Sequence, residues 1–125
     1  MAKWLTRIAS VLLFVVGALH ETRLPQFEKM IAESGMQGLA AGMFKGAQLV
    51  FGAEMLALAV IAFVASGMEK GARFVLICGA TMALNAAILL WALGPVIPVD
   101  ITIVLALMFL LGGSLQAKGA ARGAA

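Results

Sequence analysis

The chain has 125 residues, 63% of them hydrophobic and only 12% charged, with a net charge of +3. An ordinary soluble domain is about 45–50% apolar and about 25% charged, so this chain has too little charge to cover a water-facing surface. That excludes a soluble globular enzyme, a disordered tail and a nucleic-acid-binding domain, and a mean hydropathy of +1.07 points to the membrane instead.

A bilayer core about 30 Å thick takes roughly 20 helical residues to cross. The first such stretch covers residues 4–19, with Ile8 to Leu19 uninterrupted by a charge. Arg7 can snorkel from it, and Trp4 suits the interface. A signal peptide is the competing reading. Its charged region would hold Lys3 and Arg7, and Val16-Gly17-Ala18 would be its cleavage site. A retained first helix is preferred, because removing it would place the two ends of the chain on opposite sides and spoil the charge pattern described below.

Residues 21–38 change character. Leu24, Phe27, Met30 and Ile31 form one helical face among His20, Glu21, Arg23, Glu28, Lys29 and Glu33. Pro25 suits a first turn and Gly35 a stop. Residues 24–34 therefore read as an amphipathic helix lying at the membrane surface. A second span covers 46–66, with a start as early as Leu39 allowed, and a polar loop from Met68 to Arg73 follows it. The third span covers 74–93. An apolar turn from Gly94 leads to Asp100, placed to cap the fourth span at 101–115. That span closes on Gly112-Gly113 and leaves a polar tail at 116–125. The expected fold is all-α: one domain, an integral membrane four-helix bundle with an interfacial helix between spans one and two.

The cations set an orientation for this layout. Lys3, Arg7, Lys70, Arg73, Lys118 and Arg122 fall on one side, while Arg23, Lys29 and Lys45 fall opposite beside Glu21, Glu28, Glu33 and Asp100. The six-to-three split places both termini in the cytoplasm of a bacterial inner membrane.

The inventory for chemistry is small. One cysteine, Cys78, excludes an internal disulfide and a cysteine metal cluster, and one histidine, His20, excludes a bis-His haem within the chain. No phosphate-binding glycine loop, nucleophile elbow or HExxH is present. No catalytic residue and no metal site are expected. Glu54 stands out because it lies deep in span two, where a carboxylate must be neutralised, paired or hydrated. It reads either as a proton-exchanging or ligand-binding acid, or as a protonated glutamate that bonds a neighbouring helix and fixes the bundle. Cys78, Thr81 and Asn85 share a face of span three, within about 60° on an ideal helix. Asn85 and Thr81 are the expected partners of Glu54, and Gln48 joins them if the helices rotate suitably. Polar groups so placed usually act as interhelical glue.

Gly38, Gly42 and Gly46 form a GxxxGxxxG row that lets helices approach closely. Packing within the chain is preferred for it over an oligomer interface. His20 can ligate haem or bond a quinone carbonyl, although its place at the end of span one suits a solvated side chain.

Arg7 precedes a first helix that ends Leu13-Phe14-Val15-Val16-Gly17-Ala18-Leu19-His20, and a connection with Pro25 and Phe27 follows. Gly52-Ala53-Glu54-Met55-Leu56 and a short basic link at Lys70 and Arg73 complete the pattern. In these features residues 5–115 resemble the DoxX-like group of small four-helix bacterial membrane proteins. The resemblance implies a membrane role associated with quinone or thiol-redox systems, with Glu54 as the group's membrane acid. No cofactor is required by the sequence, and a quinone is compatible with it. The expected partners are the lipid bilayer and either other membrane subunits or further copies of the chain. An accessory or redox-associated subunit without catalysis of its own is the first reading. An oligomeric transporter or channel working through Glu54 is the second, and a lipid-modifying enzyme the last.

Overall fold

The computed structural model describes residues 1–123; the last two residues of the expected polar tail lie outside it. It is all-helical, with no strand among the described residues. The helices are α1 (Ala2–Glu21), α2 (Leu24–Ser34), α3 (Gly38–Ala65), α4 (Ala72–Leu93) and α5 (Ile97–Gly123). All but α2 are long and apolar enough to cross a membrane.

Local chemistry explains most of these boundaries. α2 starts with Pro25 in its first turn, where the missing N–H costs nothing, and stops at Gly35. Gly35 adopts φ 70°, a left-handed conformation that only glycine takes without strain. Gly38 turns the chain into α3 in the same way, at φ 57°. α3 begins there, well before residue 46, and meets α2 through Phe44 and Lys45. Phe27 meets Phe44 edge-on, and Lys45 pairs with Glu28.

At the other end of the chain, α5 departs from expectation twice. Asp100 is not its cap: the helix begins three residues earlier, and Asp100 lies in the first turn, where its charge still complements the helix dipole. Nor does the helix close at Gly112-Gly113. Both glycines are buried against other helices, and contact of that kind offsets their poor helix propensity. Beyond them the alanine-rich tail continues the helix, with Arg122 in its last turn.

The four long helices form a ring in the order α1, α3, α4, α5. α4 packs most extensively on α5 and α1 on α3; α1 also meets α5, and the α3–α4 seam is the thinnest of the four. The core is built of Leu13, Met55, Val75, Met82, Leu105 and Phe109 with small residues between them. Small residues set the spacing. A Cβ on Gly79 would lie 2.9 Å from the backbone nitrogen of Leu110, and one on Gly113 would lie 3.1 Å from that of Leu76. α4 and α5 are therefore in backbone contact at two levels, a separation that larger residues would prevent. The outer faces remain apolar: Val50 is 68% exposed, Leu107 60% and Trp91 89%.

Candidate functional site

The polar side chains inside this apolar bundle meet at three levels. The central one joins α3 to α4. Asn85 Nδ2 donates a hydrogen bond to Glu54 Oε1 at 3.1 Å, and both residues are half-buried. Glu54 lies about 16 Å along the helix axis from Ala65 and about 3 Å from the level of Gly52. Four residues further along α3, the Leu58 carbonyl accepts a hydrogen bond from Cys78 Sγ at 3.8 Å. These two bonds cross the thinnest seam of the ring.

Thr81 shares the face of Asn85 but turns inward on its own helix, where Oγ1 donates to the Ile77 carbonyl at 3.0 Å. That geometry is usual for threonine in an apolar helix, since the backbone carbonyl is the nearest acceptor. Gln48 takes part through its main chain at a different level. Its carbonyl oxygen lies 3.1 Å from His20 Nε2. The structure thus bonds Glu54 to Asn85, while Thr81, Gln48 and His20 make their hydrogen bonds elsewhere.

The second level lies where α1 ends. The His20 ring is flanked by Phe27 at 5.2 Å and Phe51 at 5.5 Å between ring centroids, so it is held between α2 and α3. Next to it, the Glu21 carboxyl rests against Gly52, where a Cβ would have no room. Glu21 Oε1 is buried and has no hydrogen-bond partner among the described residues. Glu21 and Gly52 were not legible as a pair in the sequence. Gly52 itself was a signal, since a glycine inside an apolar helix often marks a close approach.

The third level is at the opposite end, where Arg7 Nε donates to Ser66 Oγ at 3.3 Å and the guanidinium sits 5.0 Å over the Phe63 ring. Gln116, the first residue of the expected polar tail, donates from Nε2 to the carbonyls of Ala65 at 3.3 Å and Met68 at 3.1 Å. Both carbonyls also accept a backbone N–H, Ala65 from Met68 and Met68 from Gly71, so Gln116 adds a second bond to each and ties α5 to the turn after α3.

Gly38, Gly42 and Gly46 correct another expectation. A Cβ on any of them would meet nothing within 4 Å, so the row is not a packing face within the chain. The close approaches between helices occur instead at Gly17, Gly52, Gly79, Gly112 and Gly113. Glycine spacing records only that approach is allowed; whether a helix lies opposite depends on the fold.

Among the described residues no three His, Cys, Asp or Glu side chains converge as a metal site would require. No protein-family model, curated protein or solved structure matches the chain.

Proposed function

We infer that the protein is a small multi-pass subunit of a bacterial inner membrane, with both termini cytoplasmic and α2 at the outer surface. In this reading it acts as a non-catalytic accessory or redox-associated component of DoxX-like type. One observation carries it: Glu54, an acid inside a long apolar helix, is bonded to Asn85 on the neighbouring helix. A carboxyl so used holds a seam closed, which is the structural role expected of intramembrane polar glue. The apolar outer faces support a lipid or subunit environment. Charge supports the orientation. On the side assigned to the exterior, Lys29 and Lys45 are paired with Glu33 and Glu28. The six cations at the other end form no ion pair among the described residues.

Purification in mild detergent tests the reading. A stoichiometric membrane partner should co-purify, and it should survive Glu54→Gln, which keeps the bond to Asn85, better than Glu54→Leu. A protein that runs alone and gives identical behaviour for all three versions would refute it. A periplasmic reporter fused after Ala125 would refute the orientation.

The thinness of the α3–α4 seam favours a second reading, an oligomeric transporter or channel in which that seam opens around Glu54. It requires flux in proteoliposomes that Glu54→Gln abolishes. Equal flux in both versions removes it.

A further inference from the structure

On the outside of the bundle, α1 and α3 leave an open apolar groove of about 200 Å³ between them. Val11, Phe14 and Val15 line it from α1, and Val60, Phe63 and Val64 from α3. On an ideal helix Arg7 falls at the angular centre of the α1 lining, one turn beyond its end, and Lys3 lies one turn further on the same face. The guanidinium covers Phe63, so it stands at the mouth of the groove. Its Nε is used by Ser66, while its two terminal nitrogens have no hydrogen bond or ion pair among the described residues. Gly67 adds no side chain beside them: a Cβ there would come within 3.8 Å of an Arg7 terminal nitrogen.

We propose that this groove is a binding site for one anionic phospholipid of the cytoplasmic leaflet, its acyl chain lying in the groove and its phosphate on Arg7 and Lys3. The proposal rests on the membrane orientation inferred above. The lining is apolar and faces outward, as an acyl chain requires, and a planar guanidinium with free donors matches a phosphate diester. The cations place the headgroup at the level where the leaflet carries its negative charge. A zwitterionic lipid would fill the groove equally well but brings its own cation to the phosphate, which weakens the contact with Arg7. The selectivity therefore resides in the mouth and the affinity for a chain in the groove.

Trp4 lies beside Lys3 and reports on this site. In Trp91→Phe protein it is the sole tryptophan. Reconstituted into bilayers containing dibrominated phosphatidylglycerol or dibrominated phosphatidylcholine, its fluorescence should be quenched with about a five-fold preference for phosphatidylglycerol, the value of one basic contact at a charged leaflet. Arg7→Gln should remove most of that preference, and Arg7→Gln with Lys3→Gln all of it. Val60→Phe, which fills the groove and leaves Arg7 intact, should weaken quenching by phosphatidylglycerol. Lys118→Gln removes one charge from the same side and should leave the preference in place. Equal quenching by the two lipids overturns the site while leaving the membrane reading intact. So does an equal loss from Arg7→Gln and Lys118→Gln, because attraction would then be diffuse. Absence of quenching by either lipid overturns the membrane reading and the site together.

Discussion

The two halves of α3 use the same kind of sequence in opposite ways. From Gly52 to Ala65 the helix buries Gly52, Met55, Ala59, Ala62 and Ala65 against its neighbours. From Gly38 to Gly46 it buries none, although three glycines stand there at regular spacing. In the first half Phe44 and Lys45 meet the short α2, through Phe27 and Glu28. The second has α1 along one flank and α4 along the other. Small residues become contacts only where the topology supplies a second helix at the same level, so the same motif is packing in one place and plain surface in another.

Substitutions at the glycines test this contrast most sharply. Gly79→Val, which forces a side chain against the Leu110 backbone, should destabilise the bundle by about 1–3 kcal/mol in thermal unfolding in detergent. Retention of the parent unfolding temperature would show that α4 and α5 are not in close contact. Glu54→Leu removes the bond across the α3–α4 seam and should cost about 0.6 kcal/mol, with about 1.7 as an upper value. Glu54→Gln should cost clearly less. If the two variants unfold alike, the bond to Asn85 contributes nothing to that seam. Gly42→Ala should go the other way, raising stability by roughly 0.8 kcal/mol through helix propensity alone. A loss of stability, or a change of oligomeric state on size exclusion, would reveal a partner on the open half of α3. Lys45→Gln, which breaks the exposed pair with Glu28, should change stability by only about 0.3 kcal/mol. A larger loss would mean that α2 is anchored to α3 mainly by charge.

Local signals were the legible part of the sequence. Residues 24–34 form a helix within the expected limits because proline and glycine constrain the backbone directly, whatever surrounds them. The four long apolar helices followed from long hydrophobic runs with few polar residues in them. Glu54 and Asn85 could be paired because polar groups within apolar helices have few partners available. Contacts set by register between distant segments were not legible. Nothing near His20 or Glu21 indicates that Gln48 and Gly52 lie opposite them. The fate of Thr81 was likewise undecided, since a carbonyl on its own helix competes with any partner across the seam. α5 ran past Gly112-Gly113 because Thr6 and Leu76 pack there, an effect with no trace in the local residues.

The seat of Thr6 on Gly112 also bears on biosynthesis. Chains emerge from the ribosome amino end first. α1 is therefore made before every other helix, yet part of its buried face cannot be covered until nearly the whole chain exists. α4 and α5 need no such delay, since they are consecutive and interlock over a short turn at Gly94 to Val96. Until that late hairpin arrives, α1 has only α3 to shield Thr6 and Ser10, and both hydroxyls meanwhile bond back to their own helix, at Ala2 and Thr6. The first helix thus carries an internal provision for its polar groups during the interval in which its final neighbour has not yet been synthesised.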